Sequence, residues 1–149
     1  MSHWRERLTG LLVGYYGLLQ LAHLMLLARA GLQLLSGGGI GFPAPPPSGG
    51  WQEQATHFLI GMGLVDAVNV PVSLLFVYGY FARAAWRDRV GTLALTISAY
   101  SAVAFLYGTA MSGAWADNLL DYFVVAFLFA PAVVLSALFL TDRVPTDAP

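Results

Sequence analysis

Four long apolar runs constrain this chain more than anything else in it. They cover residues 8–35, 55–82, 90–111 and 117–140. Each meets or exceeds the roughly 20 residues that a helix needs to cross a bilayer. None alternates apolar with polar positions, as barrel strands must. In lipid, a helix also satisfies its own backbone groups. Of the 149 residues, 58% are hydrophobic and 10% charged, whereas an ordinary soluble domain carries ~25% charged residues. The expected fold class is all-α: a single transmembrane domain, built as an integral membrane four-helix bundle.

Composition removes several chemistries. The formal net charge is −1, so no basic surface is expected to attract a phosphate backbone, and nucleic acid is not an expected partner. The seven cationic residues are all arginine. Without lysine there is no amine for a retinal or pyridoxal Schiff base. Cysteine is absent, which excludes disulfides, thiol redox chemistry and thiolate-held metals. His23 and His57 lie on different runs, ~13 Å apart in depth by helical rise, so bis-histidine haem ligation is not expected. No H-x-x-x-H or E-x-x-H spacing occurs. Neither a metal nor a cofactor is therefore expected.

The aromatic and basic residues set the boundaries and the orientation. Trp4, Trp51, Trp86 and Trp115 fall at or just outside the ends of the runs, where indoles favour the headgroup zone. Arg5 and Arg7 precede the first run, Arg83, Arg87 and Arg89 lie between the second and third, and Arg143 follows the fourth. The other two links carry no cation, so the positive-inside rule places both termini in the cytoplasm. An arginine-only composition resembles that of high-GC microbes, and the expected location is a microbial cytoplasmic membrane. Residues 36–50 read SGGGIGFPAPPPSGG, an extracytoplasmic loop that cannot be helix or strand. It is either a flexible linker or a cap over the bundle mouth anchored by Ile40, Phe42 and Trp51.

Polar residues inside the runs are costly and each needs a reason. Counting helical rise places Gln20, His23, Asp66, Asn69, Tyr100 and Ser101 within roughly 4 Å of the midplane. Gln20 and His23 share a helix face, as do Asp66, Asn69 and Ser73. One inward cluster between the first three helices is expected. Asp66 is its lone carboxylate, either a proton-handling or amine-binding group or a hydrogen-bonded tie between helices. Pro71 and Pro131 would kink two helices near this level. About 10 Å further out, Arg29, Tyr107 and Asp121 share a depth. Arg29 with Asp121 is expected as a structural ion pair, with a substrate headgroup site as the alternative. Asp117 and Asn118 are expected to cap the fourth helix. Gly10 and Gly14, extended by Gly17, form a small-residue face suited to helix packing or a homodimer.

The order of these features resembles the EXPERA family of emopamil-binding and sigma-2-receptor-like four-helix membrane proteins. The resemblance covers roughly residues 8–140. It rests on Asp66-Ala-Val-Asn69-Val-Pro71, on the basic link around Trp86, on Ala130-Pro131 and on His23. Where the sigma-2 branch has a second acid on helix 1 this chain has Gly31, and Asp66 stands where glutamate is usual. The resemblance implies a cavity for a lipid-like or cationic amphiphilic ligand. Asp66 would meet its polar end, Gln20, His23, Asn69, Tyr100, Ser101 and Tyr107 would contribute polar contacts, and Phe105 and Phe127 would line the apolar part. If the protein is an isomerase of sterol or isoprenoid type, Asp66 and His23 would be catalytic and exchange the proton. Two other readings stand beside it: an accessory subunit of a larger membrane complex, and a small proton-coupled transporter.

Overall fold

A computed structural model describes residues 3–41 and 43–141, so Phe42 and Arg143 lie outside the described residues. The chain folds into four long helices and one short one. These are α1 (His3–Leu35), α2 (Glu53–Phe81), α3 (Arg87–Met111), α4 (Ala114–Asp117) and α5 (Leu119–Thr141). The four long helices are apolar and long enough to cross a membrane. Their outward faces carry large apolar side chains: Leu18, Met25, Val68, Val103, Leu120 and Phe127 are 65–79% exposed. A surface of that kind on every helix suits hydrocarbon and not water.

Two helix ends differ from the expected ones. α1 begins at His3, so Arg5 and Arg7 lie inside it; the polar residues before Leu8 do not break the helix because none is Gly or Pro. The fourth run is split. Gly113 adopts φ +79 before α4, and Asn118 leaves helical geometry at φ −134 and ψ 40. The Asn118 side chain then donates to Ala114 O at 3.2 Å and to Pro46 O at 2.8 Å. An asparagine amide that bonds backbone in this way competes with a continuous helix.

Each long helix packs on two other long helices. α1 lies against α2 and α5, and α3 completes the ring between α2 and α5. Short links at residues 82–86 and 112–113 favour antiparallel neighbours. The turn after α2 is tight: Arg83 takes φ 54, in the left-handed region, and Ala84 N donates to Gly79 O at 2.9 Å.

Packing is unequal along the bundle. The core consists of Val13, Tyr16, Phe76, Ala94, Leu95, Ala132 and Leu135. These come from the first half of α1 and α3 and the second half of α2 and α5, which all lie towards the α2–α3 link. Phe76 is fully buried and meets Tyr16, Tyr80 and Phe139 at ring distances of 6.3, 6.3 and 5.3 Å. Gly91 makes room for it: a Cβ there would lie 2.6 Å from the Phe76 ring and 2.8 Å from that of Phe139. At the opposite end, Ala30, Gly31, Gly63, Ala67 and Ala102 face one another with little side chain to fill the space. The 36–50 loop covers that end.

Candidate functional site

The small residues of the loosely filled half leave a pocket of about 290 Å³. Its walls are apolar: Leu26, Leu27, Leu59, Met62, Phe105 and Phe129 among them. Its floor is polar, formed by Gln20 and His23 of α1, Asp66 and Asn69 of α2, and Ser98 and Ser101 of α3. Leu34, Ile60 and Leu64 line it while being 37%, 36% and 66% exposed. The pocket therefore reaches the outer surface on the α1–α2 side. Ile40, Pro43 and Ala44 of the loop close its end.

The loop is held down by named bonds. Tyr122 Oη donates to Pro45 O at 2.9 Å, Asn118 Nδ2 to Pro46 O, and Ser48 N to Asp117 Oδ2 at 2.7 Å. Trp115 stacks on Tyr122 at 5.5 Å between ring centres and donates to Thr109 Oγ1 at 3.0 Å. The segment is docked over the pocket, held by hydrogen bonds; of the expected apolar anchors Ile40 lines the pocket, Trp51 does not, and Phe42 lies outside the described residues. Asp117 and Asn118 hold the loop rather than simply capping a helix.

On the floor, His23 Nε2 lies 3.5 Å from Asp66 Oδ2, each side chain being 17% exposed. His23 also sets its ring edge-on to Phe129 at 6.4 Å. Below them runs a hydrogen-bond network that joins three helices. Tyr16 Oη bonds Ser73 Oγ at 2.7 Å and Ser98 Oγ at 2.6 Å, while Asn69 Nδ2 donates to Ser98 Oγ at 2.8 Å and to Ala94 O at 3.4 Å. A carbonyl cannot donate, so the bond to Ala94 O fixes which way the Asn69 amide faces. Its Oδ1 is left without a partner in the protein, as is Gln20 Oε1, and Ser101 Oγ has none but the Asp66 carboxylate. All three residues are buried, at 3%, 3% and 6% exposure. The Ser101 hydroxyl stands close enough to interact with the Asp66 carboxylate.

Thus Gln20, His23, Asp66, Asn69 and Ser101 share one pocket, and Tyr100 and Tyr107 do not belong to it. Tyr100 is 69% and Tyr107 67% exposed, in an outward stripe with Val103 and Met111. Successive residues on a helix point ~100° apart, so Tyr100 cannot share the inward direction of Ser101. Phe127 is 79% exposed for the same reason, and Phe129 takes the lining position. Arg29 and Asp121 are both exposed and form no ion pair with each other; equal depth did not give them a shared inward face. Gly17 packs against Val77, whereas Gly10 meets nothing. Tyr16 and Ser98 were not singled out by sequence, although Tyr16 lies one turn from Gln20 and Ser98 three residues from Ser101. Among the described residues, no three His, Cys, Asp or Glu side chains gather as a metal site would require. No family model, curated protein or solved structure matches this chain.

Proposed function

We propose that the bundle spans a membrane and binds an amphipathic, lipid-soluble ligand whose polar end reaches the Asp66–His23 pair. One observation carries this reading: an apolar pocket, reaching the outer surface between two helices, ends on a carboxylate, an imidazole and two amide oxygens that the protein leaves unpaired. A buried donor or acceptor without a partner costs ~1–3 kcal/mol, so a ligand able to hydrogen-bond there gains twice, from burial and from pairing. The EXPERA resemblance supports the same reading, because Asp66, Asn69 and His23 all border this pocket. The loop over the pocket's end and the exposed lining on its side favour entry from the bilayer.

A long-chain alkylammonium probe tests this. Asp66→Asn keeps the shape of the side chain and removes its charge. Binding should weaken by at least ~1.5 kcal/mol, the low end for a hydrogen bond to a charged group, which is about tenfold in affinity. The variant should stay folded, because an amide is cheaper to bury than a carboxylate. Unchanged binding would reduce Asp66 to a tie between helices and favour the accessory-subunit reading. The 3.5 Å His23–Asp66 spacing favours one further activity in the same pocket, a double-bond shift. One of the two groups would give a proton to an alkene carbon and the other would remove one from the allylic carbon, with no net change in protons.

A further inference from the structure

We propose that the α1–α5 face of the bundle docks a second copy of this chain through reciprocal Arg29–Asp121 ion pairs. This rests on the bundle lying in a membrane and is independent of what the pocket holds. The starting observation is two opposite charges that face outward and are not paired with each other. Arg29 is exposed in a shallow groove on α1 beside Met25, Leu32 and Gln33. Asp121 is exposed in the first turn of α5. A charged side chain on a lipid-facing surface is expensive and seeks a partner.

Their placement is complementary. Two α1–α5 contacts, His23–Phe129 and Tyr15–Leu128, bracket the levels: helical rise counted from the first puts Arg29 ~3 Å inward of Asp121, and from the second ~10 Å outward of it, a span that the long arginine side chain can bridge. Their bearings match as well. Tyr15 Oη donates to Leu128 O at 2.9 Å, which marks the sides on which α1 and α5 meet. Arg29 lies almost four whole turns beyond Tyr15, and Asp121 almost two whole turns before Leu128, at 3.6 residues per turn. Both charges therefore flank the same seam.

A two-fold axis along the membrane normal preserves depth. It sets α1 of one copy against α5 of the other, and the converse, so one isologous contact forms two ion pairs. Arg29 of each copy then meets Asp121 of its partner. A lipid phosphate reached by a snorkelling Arg29 would satisfy only one of the two charges.

The chain's lack of cysteine makes the test clean. Arg29→Cys and Asp121→Cys are each expressed as full chains with different tags, alone and together, and oxidised in native membranes. The expected result is a disulfide-linked dimer carrying both tags in the mixture, and loss of that band when either variant is alone. A charge exchange provides a second measure. Arg29→Glu and Asp121→Arg should each lose the dimer, and co-expression of the two should restore a mixed dimer, since both pairs then join opposite charges again. Three outcomes overturn the proposal. An intrachain disulfide in the Arg29→Cys/Asp121→Cys double variant with no mixed dimer would place the pair within one chain. A homodimer of Arg29→Cys alone would place the interface elsewhere. No cross-link of either kind would leave Arg29 to lipid headgroups.

Discussion

Ser98 and Ser101 lie one turn apart on α3 and face the same pocket, yet they do opposite things. Ser98 accepts from Asn69 and bonds Tyr16, whereas Ser101 stands outside that network with its hydroxyl beside the Asp66 carboxylate. Ser98→Ala should therefore lower thermal stability by ~1 kcal/mol, in the range for interhelical hydrogen bonds in membranes. Ser101→Ala should cost less, because the Ser101 hydroxyl lies outside the Tyr16–Ser73–Ser98–Asn69 network, and should instead weaken alkylammonium binding. Thermal unfolding in detergent separates the two variants, and equal losses would mean that Ser101 has a structural bond. Gly31 offers the complementary test. It lines the pocket, and a Cβ there would meet nothing within 4 Å. Gly31→Leu should fill the space and abolish probe binding. Stability should hold or rise by up to ~1 kcal/mol, since glycine is a poor helix former; a variant that unfolds would mean that this space is needed for packing. The clustering of Gln20, His23, Asp66, Asn69 and Ser101 was legible because helical rise converts residue number into depth. Tyr100 passed the same depth count, and Tyr107 was expected one level further out; both fail on direction, which depth does not report.

At the scale of the element, the 36–50 loop is the part that sequence described least. Its glycines and prolines excluded helix and strand, but nothing local to it named a partner. The partners are Asp117, Asn118 and Tyr122, some 70 residues further on, and a single sequence carries no marker for that pairing. The short α4 before Asn118 was missed for a related reason. Sequence marked Asp117 and Asn118 as the start of the fourth helix, and only the bond to Pro46 O shows that the Asn118 side chain also ties the loop. Asn118→Ala and Tyr122→Phe each remove one of these ties. Together they should speed hydrogen exchange at residues 43–50 while leaving the core around Phe76 protected, because local opening tracks local contacts. Equal exchange in the variant and the parent chain would mean that the ties do not hold the loop. The four long helices, by contrast, were plain from apolar length alone, with the start of α1 displaced because polarity does not stop a helix.

At the scale of the whole molecule, the proposed orientation puts the loop outside the cell and the 83–89 link inside. In intact cells, a cysteine at position 48 (Ser48→Cys) should react with an impermeant thiol reagent and one at position 85 (Ala85→Cys) should not. The reverse pattern would invert the bundle. The bundle also divides into a tightly packed half around Phe76 and a half that encloses the pocket, an arrangement that allows ligand space without hollowing the part that holds the helices together. The ties between the loop and residues 117–122 have a consequence for biosynthesis. A ribosome makes the loop early, but the side chains that fasten it belong to α4 and α5 and emerge late. Until then the pocket has three of its helices and an untethered cover. It is completed only when Phe129 and Tyr122 arrive, so a chain stalled before α5 would hold the whole polar floor and still lack an enclosed site.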